Sequence, residues 1–431
     1  LNSRVLSGCT VALHDINEQA LSRVERVARR YIEEKRLPYT LQATTSRSEA
    51  LRGAGLPFQF AGQVKDFDAK QYVQPRKTIK VMCQEIQTAY AAAAQAMQAA
   101  GLSREQIDPQ RMGVVLGSEM LYGELPEMAE VYRHCAVDGQ FDAGRWGEYA
   151  FKDLFPLWML KYLPNMAACH ISIAHDAQGP NNSIVAGGVS SLLAIAEAAA
   201  IIQRGQADAM LAGGSGSLAS VSSLPFRGWE HLSTWEKDPA GAIRPFDADR
   251  CGTVPGEGAG VLLLESRQHA QRRGAQPLAR IAGWASRCQS PGTPWAVRSG
   301  QAIRQAIVAA LKSAQVDAAE IDHINAHGEG SLVQDRIEAE AIRSTLGTVP
   351  VTALKSYFGD LGAGSGAVEL IGSILALVHG QTPPTRNCEK PAPDCPIEVV
   401  RQVPRPVQQP AVLALNQSLT GQAAALVVVR E

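Results

Sequence analysis

Residues 170–217, reading HISIAHDAQGPNNSIVAGGVSSLLAIAEAAAIIQRGQADAMLAGGSGS, restrict the fold more than any other stretch. A turn at Gly179 and Pro180 leads into a short apolar run that ends at Gly187 and Gly188. Val189, Leu192, Leu193, Ile195 and Ala196 then recur at helical spacing, and Gly205 stops the helix. Residues 210–212 read as a buried strand closed by Gly213 and Gly214. Strand, glycine turn, helix and strand make an α/β unit. The turn at its head is a place for chemistry, because the first N–H groups of a helix lack intrahelical partners and the helix dipole points at whatever occupies the turn.

The second half repeats this outline. A strand around Ile281, a helix over 299–313, and a strand over 321–326 running up to His327 are followed by a strand over 352–354 and a helix over 366–379. Residues 412–415 and 424–429 close the order as strands. Two similar α/β halves predict a duplicated fold with helices packed between two sheets. A chain of 431 residues, 45% hydrophobic and 19% charged, is long enough for two or three units with their own cores. Its net charge of −1 argues against nucleic acid as an obligate partner. No apolar run matches the ~18 residues of a membrane span, and no charged-then-apolar start marks a signal peptide. The eight cysteines stand at irregular spacing with no CxxC or Cys/His ligand pattern. Free thiols, a cytoplasmic location and no metal site are therefore expected.

Residues 1–56 read differently. Residues 10–14 alternate like a strand that ends at Asp15, Asn17 is a helix N-cap, and Ala20, Val24, Val27, Ala28, Tyr31 and Ile32 share a helical face. A strand over 41–44 and a helix over 48–52 complete a βαβα pattern with an acid at a strand end. TVALHDIN, VERVARRYIEE and ATTSRSEALRGA resemble the NAD-binding domain of the family 4 glycosidases, which implies Asp15 as the acid near the adenosine ribose. The strand and glycine-rich phosphate loop that would precede it are not in this sequence, so no cofactor is expected.

From Phe58 onward the motifs belong together. Gly179-Pro180, Gly187-Gly188, Ser190-Ser191, Arg204-Gly205, Ala207-Asp208 and Ala212-Gly213-Gly214 keep one spacing. FQFAGQVKDFDAKQYV precedes them, and RPFD from Arg244 and GEGAG from Gly256 follow. HGEGS from His327, with Asp335 and Glu338, KSYFGD from Lys355 and an Asn416 loop complete the series. The set resembles the β-ketoacyl synthases, the condensing enzymes of fatty-acid and polyketide synthesis. The resemblance implies a thiolase-like five-layered αβαβα fold with two similar halves over 57–266 and 267–431. Its first strand, central in the family's first sheet, would be replaced by the βαβα fragment 1–56. The resemblance further implies a homodimer, or a heterodimer with an active ketosynthase, serving an acyl carrier protein.

The implied active site is a cysteine and two histidines assisted by a lysine. A cysteine at a helix N-terminus takes the acyl chain as a thioester, and two histidines donate to the enolate that forms as carbon dioxide leaves. The spacing puts the nucleophile at Gly188, the first histidine at His327, the lysine at Lys355 and the second histidine at Asp360. A carboxylate at the last place repels a developing enolate by ~4 kcal/mol at an effective dielectric near 20. The C-terminal loop keeps Asn416 and Gly421 but loses both aromatics and two glycines of the family pattern. Ser190 and Ser191 read as packing residues, and Cys169 as a buried thiol on the strand before the turn. The sequence therefore implies a non-condensing, chain-length-factor-like homologue. An active 3-oxoacyl synthase or malonyl decarboxylase with altered residues, and a non-catalytic scaffold or misjoined gene product, are the alternatives.

Overall fold

The computed structural model describes residues 9–10, 45–48, 58, 60–119, 123–219, 231–290 and 299–431. The expected elements over 11–44 and 49–57, and with them Asp15 and most of the glycosidase-like fragment, lie outside the described residues.

The first half runs β1 (Cys9–Thr10), β2 (Thr45–Arg47), β3 (Phe60–Gly62), α1 (Gln84–Ala100), β4 (Met112–Gly117), α2 (Leu125–Cys135), α3 (Trp146–Asp153), α4 (Met166–His175), β5 (Asn181–Ile184), α5 (Ser190–Gln203), β6 (Ala209–Ser217) and β7 (Glu257–Glu265). The second runs β8 (Ala279–Cys288), α6 (Gln301–Ala314), β9 (Ile321–Asn325), α7 (Gln334–Leu346), β10 (Pro350–Thr352), α8 (Ser365–His379), β11 (Glu398–Val399), β12 (Ala411–Gln417) and β13 (Gln422–Arg430). One sheet has the order β1-β7-β6-β4-β5 and the other β8-β13-β12-β9-β10-β11. Apart from the added β11 the orders are the same, and so are the strand directions. β4 pairs in parallel with β5 and β6, as β9 does with β10 and β12. β7 and β13 run antiparallel to their neighbours.

Strand alternation explains the layering, since neighbouring residues of a strand face opposite sides. Val114 and Leu116 of β4 pack with α1 and α4 on the outside, whereas Val115 packs with α5. Val412 and Ala414 of β12 pack with α8, whereas Leu413 and Leu415 pack with α6 and α7. Two helices thus lie between the sheets and two on each outer face, which is the five-layered αβαβα arrangement. α8 is buried from Ser365 to Leu377. The 18-residue helical stretch Gly362–His379 has a mean hydropathy of 1.4, apolar and long enough to cross a membrane, contrary to the sequence reading. Its apolarity has another cause: 89% of it is buried, between two sheets.

Three expectations need correction. The slot of the first strand is at the edge of its sheet, not the centre. Cys9 lies opposite Gly260 and Thr10 opposite Ala259, as β8 lies against β13 in the other half. Chain order does not reveal sheet order, and a long antiparallel strand comes between the first strand and the parallel ones. Residues 120–165, read as irregular, contain α2 and α3. In α2, Met128, Val131 and Cys135 form a buried stripe behind a proline in the first turn. Cys169 is on α4 and half-buried, because Ala167, Ala168 and Ile171 pack at helical spacing rather than alternating. The described parts of the N-terminal segment are integrated in the fold. β2 pairs with β3, and Glu257 of β7 accepts the Val64 N–H just beyond β3.

At the far edge of the first sheet β5 has no further strand beside it among the described residues. On α4, which packs against β5, Ile173 is 77% exposed. The central layer carries the domain. Leu370→Ala, at a fully buried site between the sheets, is expected to cost ~2–5 kcal/mol in urea unfolding. Val308→Ala on the exposed side of α6 is expected to stay within ~0.5 kcal/mol of wild type.

Candidate functional site

The ends of β4, β5, β6, β9 and β12 and the head of α5 converge on one cavity of about 420 Å³. Gly188, His327, Asp360, Glu119, Glu329 and Gln417 are among its lining residues. The turn into α5 is tight. Gly187 has a φ of +64°, a conformation that glycine adopts without steric cost. Ser190 Oγ accepts the Ala186 N–H at 2.8 Å and donates to Gly187 O at 2.7 Å. Ser191 Oγ accepts the Ala367 N–H at 3.0 Å, tying α5 to α8. Both serines are fully buried and have their hydroxyls engaged in packing.

Gly188 opens the helical turn that leads into α5. A Cβ built there would lie 3.3 Å from His327 Cε1, so a side chain at 188 would face the histidine. It would also lie 2.6 Å from Gln417 O, closer than real Cβ atoms come to backbone. A cysteine fits only if the peptide of Gln417 moves. The C-terminal loop is closed over Gly188.

His327 follows β9 and is buried. Two acids of α7 shape its loop. Glu338 accepts the N–H groups of His327 and Gly328 at 2.8 and 2.9 Å. Asp335 accepts those of Glu329, Gly330 and Phe246 at 3.2, 3.1 and 2.9 Å. His327 Nδ1 lies 3.2 Å from Lys355 Nζ, and Nε2 lies 3.5 Å from Glu329 Oε2. In the neutral ring these partners make Nδ1 the acceptor and give Nε2 the proton. Burial and the Lys355 ammonium pull the imidazole pKa down, but the hydrogen bond and charge of Glu329 and the charge of Glu338 outweigh them, so it lies above its ordinary value.

Lys355 is fully buried and donates to Glu369 Oε1 at 2.6 Å. Glu369 Oε2 accepts from Asn416 Nδ2 at 2.7 Å. Burial disfavours the ammonium, and the charges of Glu369 and Asp360 more than restore it, so the pKa is raised. Asp360 is half-buried. Its Oδ1 accepts from Gly362 N–H at 3.0 Å and Ser365 Oγ at 2.9 Å. Burial would push its pKa up, but the charges of Lys355 and His327 and these two bonds hold it below the usual carboxylate value. At position 360 the protein therefore carries an ionised acceptor.

The structure brings the four predicted positions, Gly188, His327, Lys355 and Asp360, into one region, with Lys355 behind His327. It adds Glu369, Glu119 and Gln417. Glu369 had a sequence signal, as the lone acid in the apolar helix GAVELIGSILALV. Glu119, which accepts the Ala363 N–H at 2.7 Å, had none beyond its place after a strand. Among the described residues no group of three or more His, Cys, Asp and Glu side chains is arranged to hold a metal.

Comparison with known proteins agrees with this geometry. The family model for the β-ketoacyl synthase N-terminal domain matches residues 28–270, and that for the C-terminal domain matches residues 278–389. The first match begins inside the segment 1–56. A putative polyketide β-ketoacyl synthase 1 from Streptomyces halstedii is 32% identical over 90% of this chain and 91% of its own length. The 3-oxoacyl-[acyl-carrier-protein] synthase 2 of Rhizobium meliloti (strain 1021) is 34% identical over 84% of this chain and 85% of its own. A solved β-ketoacyl synthase from Burkholderia phymatum STM815 superposes with a TM-score of 0.82 at 25% identity, over 98% of this chain and 97% of its own. The ishigamide ketosynthase/chain length factor superposes with a TM-score of 0.81 at 22% identity, again over 98% and 97%.

The acids that hold the His327 loop predict a pH signature. Burial, then the charges of Glu329 and Glu338, push Asp335 up to about 7 against the Phe246 N–H and Arg250. A carboxyl that holds its proton more tightly when folded contributes stability below its unfolded value, near 3.9, and that contribution is lost as pH rises to about 7. The stability difference between wild type and Asp335→Asn, measured by urea unfolding, is expected to shift against wild type from pH 4 to 7 and to level off above. A constant difference across that window would show that Asp335 ionises normally.

Proposed function

The chain belongs to the β-ketoacyl synthase family, and from that membership we propose that it is a non-condensing member, a subunit of the chain-length-factor kind that pairs with an active ketosynthase. The observation that carries this reading is the head of α5. The residue facing His327 is Gly188, and Gln417 O occupies the room that a cysteine Cβ needs. Condensation requires a thiolate there to hold the acyl chain. Asp360 adds a second obstacle, since an ionised carboxylate next to the thioester oxygen opposes the enolate that a histidine would stabilise. The retained His327–Lys355–Glu369 network holds the site in shape around a missing reaction.

The partners follow from the same reading. A solved complex titled "AntDE:AntF (apo): type II PKS acyl-carrier protein in complex with its ketosynthase bound to the hexaketide" superposes with a TM-score of 0.73 at 27% identity, over 90% of this chain and 93% of its own. By analogy this chain meets an acyl carrier protein through its catalytic partner. The edge of β5, unpaired among the described residues, and the exposed Ile173 form the surface that a second ketosynthase-like subunit covers.

Intact mass analysis after incubation with an acyl-loaded carrier protein is expected to show no adduct on the wild-type chain, and a covalent acyl adduct would overturn the reading. Gly188→Cys alone is expected to condense with malonyl carrier protein at least ~100-fold more slowly than Gly188→Cys with Asp360→His, the scale of one lost oxyanion donor. Ile173→Asp is expected to raise the fraction of monomer in sedimentation velocity. An unchanged distribution would place the subunit interface elsewhere.

A further inference from the structure

Helix α4 carries two histidines that the cavity does not use. His170 and His175 each hold Nε2 in the interior with no hydrogen bond among the described residues. The helix seats Ala167, Ala168 and Ile171 on the outer face of the first sheet, against α1 and β4. A neutral ring is tolerated there, but a second ring proton would be a buried charge without a partner. The end of α4 already has its cation. A helix C-terminus favours positive charge, and Arg104 supplies it by donating to Ala174 O. Ala177 N–H closes the last turn onto Ser172 O at 2.9 Å. A protonated His175 therefore meets Arg104. The nearest acids in the chain are turned elsewhere: Asp176 Oδ1 accepts from Gln178 Nε2 at 2.9 Å, and the exposed Glu105 is bonded to Ser103. α1, β4 and β5 pack against α4 and bring no charge that offsets the burial of either ring.

We propose that α4 is an acid-sensitive latch: when His170 and His175 take up protons, α4 leaves its seat, and β5 loosens with the cavity wall that follows it. The connection runs through Asn181 at the start of β5, whose Nδ2 donates to Ser172 Oγ of α4. β5 then leads straight into residues 185–188, which line the cavity. Burial, and then the Arg104 charge, pull His175 down to about 4, and burial alone lowers His170. An open α4 returns both rings to water, where histidine titrates near 6.5. The seated form is therefore fully favoured above 6.5 and loses ground as pH falls from there toward about 4.

The inference goes beyond the reading as a non-condensing subunit, and its test needs no carrier protein, so the two stand or fall separately. Hydrogen exchange of the full chain, read by mass spectrometry at pH 7 and pH 5 and corrected for the chemical exchange rate, reports local opening. The opening of residues 166–188 is expected to rise ~20-fold from pH 7 to pH 5 through His175 alone. Helix α6, in the other half, serves as the reference for global unfolding and is expected to change far less. His175→Asn is expected to cut the rise to under ~5-fold, and His170→Asn with His175→Asn to abolish it. Near-UV circular dichroism checks that each variant keeps its packing. Equal protection of 166–188 at the two pH values in wild type, the same rise in α6 as in α4, or an undiminished rise in the double variant would overturn the proposal. If the double variant does not fold, the single variants and the wild-type comparison of α4 with α6 decide it.

Discussion

A single buried chain of charge holds the two halves of the site in register. Glu369, on the central helix α8, accepts from Lys355 after β10 and from Asn416 at the end of β12. Lys355 reaches on to His327 after β9. Lys355 is fully buried, so it is tolerated only because a carboxylate meets it at 2.6 Å. Removing one member of such a pair leaves an uncompensated ion in the interior, at a cost of ~3–5 kcal/mol. Its structural worth accounts for this network whether or not the site carries a reaction. The network joins three strand ends of the second sheet to the helix shared by both sheets, and the fold uses it whatever occupies the cavity.

The departures at the site act together. The C-terminal loop sets Gln417 O against Gly188, which only a residue without a Cβ allows. Glu329 faces His327 Nε2. Asp360 adds a carboxylate that the charges of Lys355 and His327 hold ionised. On the proposed reading these features together oppose a negative charge developing beside His327.

Much of this was legible in the chain. The glycine turn at 187–188, the helix after it and the histidine at a strand end carried the α/β reading, because apolar spacing and glycine punctuation are local signals. The motif positions Gly188, His327, Lys355 and Asp360 came from the resemblance to the β-ketoacyl synthases, and folding brought them into one region. What could not be read depended on distant contacts. The edge position of the first strand comes from pairing with β7, some 250 residues downstream. The closure of Gln417 over Gly188 depends on a loop whose altered residues showed only that something had been lost. Helix α2 was missed because its buried stripe of Met128, Val131 and Cys135 sits among charged residues and is short.

The bonds of Asp360 reach beyond the cavity. By accepting from Gly362 N–H and Ser365 Oγ, its carboxylate staples the entrance of α8, where the helix dipole favours an anion. Asp360 is thus a fastening of the helix on which both sheets rest. A side chain without a carboxylate at 360 would weaken or forfeit both bonds, so the cavity cannot change its charge at this point without loosening the rod that joins the two halves.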